Sequence, residues 1–266
     1  MSDLIDPFDG TSLSVCQNKL LGESGKAYPI ISDTPIFFEG DARDREHNTH
    51  LTDEPLPPHQ YYTKYFLQQQ YSQDTRLLDL GSGDGVMSAA IAPVFGEVYW
   101  VNPGFEALNV GEKRGISNVR RICAAAPHLP FPKDYFDAVM SIFVIEHIPQ
   151  SEVRSYFEAI RKILKPNGVF LIATDTFWFD KYTAPLWKTL GNVLQGRFKI
   201  ARHRSNTMHV NLMVPSELRR ILKHESFHIE EEDLFWLLGR TRRLMPKWFA
   251  ERFVTSVFVF KCRLHK

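Results

Sequence analysis

Chemistry in this chain starts at Asp79-Leu80-Gly81-Ser82-Gly83-Asp84-Gly85, where an acid and three alternate glycines close an apolar run. Glycine reaches φ > 0 readily and has no Cβ to hold a ligand away from the backbone. Leu77-Leu78 ahead of the turn reads as strand, and Val86 to Ala92 behind it reads as helix. The N–H groups at such a helix start lack intrahelical partners and are expected to point at a ligand. By itself this is also any tight strand-to-helix turn. Its spacing, however, is not the Gly-x-Gly-x-x-Gly of dinucleotide sites. An acid two residues before the first glycine suits a cationic amino-acid group better than a pyrophosphate. The other candidates are two histidines, His147 in Glu146-His147-Ile148 and His209 in Met208-His209-Val210-Asn211-Leu212, each able to act as a base or as a structural contact.

The elements around these residues follow from pattern. The spacing predicts strands at 76–80, 97–101, 119–123, 135–141 and 169–174, with helices at 85–93, 106–115 and 151–164 between them. Strands alternating with helices imply a parallel α/β sheet. The run at 135–141 is nearly all apolar, as a strand buried on both faces should be. Lys165-Pro166-Asn167-Gly168 stops the preceding helix. A helix at 215–224, capped by Ser216, and strands at 228–232 and 255–261 complete the pattern. Ligands of open α/β sheets bind beyond the carboxyl ends of the strands. Asp79 to Gly81, Asn102 and Ser141-Ile142 stand at three such ends and are expected to line one crevice.

Composition sets outer bounds. The chain has 266 residues, enough to bury a sizeable core. A net charge of +1 provides no global attraction to nucleic acid or membrane. Three cysteines far apart, Cys16, Cys123 and Cys262, argue against a disulfide framework and for a reducing compartment. The first residues, Met1-Ser2-Asp3-Leu4-Ile5-Asp6, are not those of a signal peptide. No apolar stretch approaches the ~20 residues of a spanning helix. A cytoplasmic location is the expectation.

Downstream of the turn come Leu129-Pro130-Phe131-Pro132, Phe136-Asp137-Ala138-Val139, Glu146-His147-Ile148 and Leu164-Lys165-Pro166-Asn167-Gly168. In this order and spacing the chain, from about 60 to 262, resembles the class I S-adenosylmethionine-dependent methyltransferases, the small-molecule branch in particular. The resemblance implies an α/β, Rossmann-like fold. Its seven-stranded, mostly parallel sheet carries helices on both faces, and here a small β-rich N-terminal module is added. It implies S-adenosylmethionine as cofactor. Asp79 then orients the methionine end through the turn, and Gly81, Ser82, Gly83 and Asp84 pass beneath it. Asn102 and Pro103 stand where the family usually has an acid for the ribose hydroxyls. A charged hydrogen bond is worth about 1.5–3 kcal/mol and a neutral one about 1, so the amide costs about 1 kcal/mol of affinity. Ala125, beside Ala126, holds the place of an adenine-binding Asp, leaving backbone groups to serve that edge. Ser141, Ile142 and Tyr62 complete the cofactor-binding set, Tyr62 from a helix expected over 59–72 that folds over the cofactor in relatives. His147 and His209 are the candidate catalytic bases. Methyl transfer from a sulfonium needs no metal, and the expectation is a metal-free site.

Residues 13–38 carry a second resemblance, to the zinc-ribbon-type modules of small methyltransferase activator subunits, through Tyr28-Pro29-Ile30 and Asp33-Thr34-Pro35-Ile36-Phe37. A structural zinc site needs four ligands. Only Cys16 remains, so the module is expected to be held without zinc, by packing. The domains expected are 1–54, a β module and linker, and 55–266, the methyltransferase domain with a substrate-side insertion at about 176–214. The insertion holds Phe177, Trp178, Phe179, Tyr182 and Trp187, then Arg197, Lys199, Arg202, His203 and Arg204. Aromatics with a basic cluster suit an anionic acceptor, such as a phosphorylated lipid or sugar or RNA, and equally a solvated helix face beside core aromatics. The basic, amphipathic stretch 240–253 suits either a membrane surface or a plain connection.

The sequence thus leads to methyl transfer onto an oxygen or nitrogen of a small molecule, with lipid- or glycan-linked acceptors among the options. Two alternatives stay open. One is an RNA methyltransferase, which a near-zero net charge disfavours. The other is a non-catalytic binding or scaffold protein, raised by the replaced acids at Asn102 and Ala125. The oligomeric state is not encoded legibly.

Overall fold

A computed structural model describes residues 3–38, 62, 64–66, 71–177, 181, 184–194, 209–236, 246, 248–249 and 255–265. Two sheets form. Strands β1 (Leu13–Cys16), β2 (Lys19–Gly22), β3 (Ala27–Ile31) and β4 (Thr34–Pro35) make an antiparallel meander. The larger, mostly parallel sheet has seven strands: β5 (Arg76–Leu80), β6 (Glu97–Asn102), β7 (Val119–Cys123), β8 (Phe136–Ile142), β9 (Leu164–Asp175), β10 (Phe227–Trp236) and β11 (Thr255–Leu264). Their order is β10-β11-β9-β8-β5-β6-β7. From β5 the chain steps outward through β6 to β7, then returns to place β8 on the other side of β5. The strand order therefore reverses at β5 and β8, the point where open sheets bind ligands. Pairing of β5 with β6 and β8, and of β6 with β7, is parallel, with Asp79 level with Trp100 and Met140.

Helices α1 (Val86–Ala89), α2 (Phe105–Gly111), α3 (Val153–Ile163), α4 (Ala184–Leu194) and α5 (Pro215–His224) connect the strands. Three expectations are corrected. The helix expected over 85–93 ends at Ala89, and a 3-10 turn at Ala92–Val94 follows. Pro93 explains this, since a prolyl ring clashes with the carbonyl four residues earlier and offers no N–H. The helix over 106–115 tightens into a 3-10 turn at Glu112–Arg114 and stops at Gly115, with φ of 63°. Val214, not Ser216, caps α5, without a side-chain hydrogen bond; Pro215 opens the helix instead.

The chain divides into two compact units. The first holds Met1–Ser141, Arg154–Leu171 and Leu264–Lys266. The second holds Ile142–Val153 and Ile172–Arg263. Within the first, Leu77, Leu78, Val98, Val101 and Phe136 are fully buried. The small meander belongs to this unit and docks on β7: Ile36 bridges Cys123 in parallel, and the Phe37 and Phe38 N–H groups donate to the Cys123 carbonyl at 2.8 and 3.2 Å. Arg121 donates to the Ser32 carbonyl at 3.0 Å. Inside the module Tyr28 donates to Asp6 at 2.9 Å, both buried. Packing and backbone pairing thus hold the module. The boundary expected near residue 54 falls outside the described residues, as do the linker 39–53, the insertion aromatics Trp178, Phe179 and Tyr182, and the basic cluster Arg197, Lys199, Arg202, His203 and Arg204. Most of 240–253 also falls outside them. Among the described residues no helix is long and apolar enough to cross a membrane.

Candidate functional site

The first unit carries the glycine turn. Gly81, Gly83 and Gly85 all have positive φ, at 81°, 56° and 76°. L-residues with a Cβ pay roughly 1–2 kcal/mol for that conformation, which is why glycine stands at all three places. The turn is fastened to β6, whose Val101 carbonyl accepts from Gly81 N–H at 2.7 Å and from Ser82 N–H at 3.2 Å. The Gly85 N–H donates to the Ser82 carbonyl at 2.9 Å and the Val86 N–H to Asp84 Oδ1 at 3.2 Å. The N–H groups of Gly81, Ser82, Gly85 and Val86 are therefore engaged within the protein.

Two features that sequence reasoning missed lock this turn. The Trp100 indole lies under it, so close that a Cβ on Gly85 would come within 2.2 Å of a ring carbon. Arg114 clamps buried Asp84, with Nε donating to its backbone carbonyl at 2.8 Å and Nη2 to its carboxylate at 2.6 Å. Neither residue belongs to a local motif that would have revealed it.

Asp79 is buried below the turn, and Ser88 Oγ on α1 donates to its Oδ2 at 2.5 Å. Burial pushes its carboxyl up to about 7; the Ser88 hydrogen bond opposes the rise and the Asp84 charge adds to it. Such a carboxyl takes its charge most readily when a cation approaches. At the end of β6, the Asn102 amide donates to the Gly104 carbonyl at 3.0 Å, leaving its own carbonyl as acceptor. Ala125 and Ala126 are half-buried just past β7, and the Ala125 carbonyl accepts from His128 N–H at 3.0 Å. Pro103 is half-buried beside Asn102. The Ser141 hydroxyl accepts from Tyr156 at 2.7 Å, both buried, so its side chain ties β8 to α3. Tyr62 is buried with Tyr65 and Phe66, and Phe66 meets Phe95 edge to face at 6.0 Å. The structure thus gathers Asp79, Gly81, Ser82, Gly83, Asp84 and Asn102 on the ends of adjacent strands β5 and β6.

The second unit carries Ile142, buried, and the histidines. His147 closes a 3-10 turn, Ile145–His147, and its ring meets that of His209 edge to face, centroids 5.0 Å apart and planes at 75°. Both are half-buried. The structure brings together these two, 62 positions apart in sequence (209 − 147). It also adds a third group that sequence reasoning quoted without a role. Glu146 is fully buried, and its Oε2 accepts from Thr174 Oγ1 at 2.8 Å. Burial pushes its carboxyl up to about 8. The signal for it was a lone acid ending the apolar run Ile142-Phe143-Val144-Ile145.

Residues 78–172 match the family described as methyltransferase domain. Over 101 residues the chain is 33% identical to the uncharacterized methyltransferase YcgJ of Bacillus subtilis, covering 36% of this chain and 39% of that protein. The ubiquinone/menaquinone biosynthesis C-methyltransferase UbiE of Vibrio vulnificus is 36% identical over 107 residues, 36% of this chain and 40% of that one. The chain thus matches about two fifths of the length of these curated relatives. The crystal structure of YcgJ superposes with a TM-score of 0.57 at 17% identity, covering 78% of this chain and 99% of that one. A Haemonchus contortus phosphoethanolamine N-methyltransferase 2, in complex with S-adenosyl-L-methionine, gives 0.54 at 17% identity, over 79% of this chain and 52% of that one. Residues 78–172 thus match a methyltransferase domain, and the sheet, with its glycine turn at the reversal of strand order, shares the fold of these solved methyltransferases.

Proposed function

We propose that this chain transfers a methyl group from S-adenosylmethionine to an oxygen or nitrogen of a small molecule. The observation that carries the reading is the turn Asp79–Gly85 at the reversal of strand order between β5 and β8. The residues present fit the cofactor. A buried carboxyl at Asp79 favours an ammonium above it, and the Asn102 carbonyl is free to accept a ribose hydroxyl. Pro103, Ala125 and Ala126 supply small groups and backbone to the adenosine end. Tyr62, Ser141 and Ile142 are assigned as the buried wall. When bound, the cofactor supplies an activated methyl on sulfur for in-line displacement, in which alignment provides much of the rate. The acceptor must give up a proton, and His147 with His209 is the pair proposed to handle it. Carbon acceptors also occur among relatives, since one of them is named a C-methyltransferase. The proton-handling pair favours an acceptor that titrates, such as a hydroxyl or amine.

Anionic or lipid-linked acceptors, and contact with a membrane surface, remain part of this proposal on sequence grounds, through the basic stretches 197–204 and 240–253. An RNA acceptor would show binding that falls steeply with salt. The test is release of S-adenosylhomocysteine in the presence of fractionated small-molecule extracts. Substitutions His147→Ala and His209→Ala are expected to slow turnover by about 10²–10⁴-fold, in the range of general-base loss, with cofactor affinity unchanged. Unchanged turnover in both variants removes the histidines from the mechanism. No turnover with any fraction, beside intact cofactor binding, favours the scaffold reading.

A further inference from the structure

We propose that Glu146, His147 and His209 bind a divalent first-row transition ion of the zinc type. One carboxylate oxygen and one ring nitrogen from each histidine all lie within 4.8 Å of one another. Glu146 is fully buried, and its Oε1 has no hydrogen-bond partner among the described residues. A buried carboxylate with an unanswered oxygen is costly, and a cation answers it directly. Two imidazoles beside it supply neutral nitrogen donors. One carboxylate with two imidazoles is a donor set for zinc and its neighbours, whereas calcium and magnesium favour oxygen ligands.

The surrounding structure holds these groups as an ion site needs. Glu146 and His147 share one 3-10 turn. The Asn211 N–H donates to the Glu146 backbone carbonyl at 3.0 Å, which ties the segment carrying His209 to that turn. Thr174 fixes the carboxylate through Oε2, the kind of outer partner that orients metal ligands. Donors about 2.0–2.1 Å from a tetrahedral ion sit about 3.3 Å from one another, so side-chain shifts of about an ångström close the site. Three protein ligands leave a coordination position for an exchangeable oxygen ligand, as open zinc sites do. An acceptor hydroxyl bound there would ionise more readily and lose its proton to solvent; with the ion in place the imidazoles serve as its ligands, and the ion replaces them in activating the acceptor. This departs from the metal-free expectation. The ion site stands on the three side chains alone, and only the role of its open position rests on the methyl-transfer reading.

The test is titration of chelator-treated full-length protein with cobalt(II), followed by displacement with zinc(II). The expected result is one bound cobalt(II) per chain, with visible ligand-field bands that zinc abolishes. His147→Ala and His209→Ala should each weaken binding by at least about a hundredfold, beyond the ten- to hundredfold that outer partners are worth. Thr174→Val should weaken it about tenfold, and His228→Ala, at an exposed position on β10, should leave it unchanged. Absence of a bound ion in the wild type at millimolar cobalt(II) overturns the site, as does binding that survives both histidine substitutions. Should a variant fail to fold, proton spectroscopy of the wild type decides: cobalt(II) must shift the ring protons of two histidines, and no shifted histidine signals overturn the proposal. Cofactor calorimetry run alongside keeps the two readings apart, because intact cofactor binding without ion binding removes the ion site alone.

Discussion

The glycine turn and the Glu146–His147–His209 cluster both contain buried acids, and they treat them in opposite ways. In the turn, Asp84 is clamped by Arg114, Asp79 is answered by Ser88, and the N–H groups of Gly81 and Ser82 end on Val101. In the cluster, Thr174 answers one oxygen of Glu146, and no described residue hydrogen-bonds to the other. One region braces its acids with its own side chains, although Trp100 Nε1 beneath the turn has no hydrogen-bond partner among the described residues, and presents a shaped backbone. The other has donor atoms held close with capacity left over. A braced cradle suits binding of a large ligand by fit, while spare capacity on a buried carboxyl suits chemistry or ion binding.

The comparison breaks first at Gly85. A Cβ there must take a left-handed backbone and enter the Trp100 ring, at about 1–2 kcal/mol for the first and about 1–3 for the second. Gly85→Ala is therefore expected to destabilise the chain by about 4 kcal/mol, read by urea unfolding. A loss below about 1 kcal/mol would mean the turn is not locked as described.

The buried carboxyl below the turn sets a pH dependence. Asp79 has a folded-state pKa near 7, above its ordinary value of 3.8. Between these values the unfolded chain holds fewer protons than the folded one, so this group makes stability fall as pH rises. Its share of the slope is at most about 1.4 kcal/mol per pH unit. Asp79→Asn should flatten that part of the profile in the ligand-free protein; an unaltered profile contradicts the assignment. A bound ammonium favours the charged carboxylate, so cofactor affinity should strengthen as pH rises through 7 in the wild type and not in Asp79→Asn.

The smallest effect sharpens the adenosine end. Asn102→Asp restores the acid usual at this place and its charged hydrogen bond to a ribose hydroxyl. It also gives up donation to Gly104. Affinity should improve only a few-fold, under about 1 kcal/mol. No change, or a loss, would show that Asn102 does not face the ribose.

The contrast between the two regions also explains what the sequence could reveal. The turn was legible because its logic is local: alternate glycines, an acid and an apolar strand within one run. Strand periodicity then placed β5 and β7 at their bounds, while the order of the strands is seen only in the structure. Helix ends were less legible where Pro93 acts through sterics that a periodicity reading passes over, whereas the helix at 215–224 was placed at its bounds and only its capping residue differed. Trp100 and Arg114 reach the turn from β6 and from the end of α2, and no spacing rule joins them to it. The cluster was only half legible. His147 and His209 were singled out separately, yet their contact depends on how the chain returns after β9, and Glu146 gains its meaning from burial.

The central claim is that the turn binds S-adenosylmethionine, and calorimetry with the cofactor and with S-adenosylhomocysteine tests it most directly. The account predicts saturable binding of both by the wild type. It also predicts complete loss of binding in Gly83→Arg, whose side chain would occupy the backbone path at a residue with φ of 56°, with circular dichroism unchanged. No binding by the wild type at millimolar ligand, or affinity retained in Gly83→Arg, would contradict it.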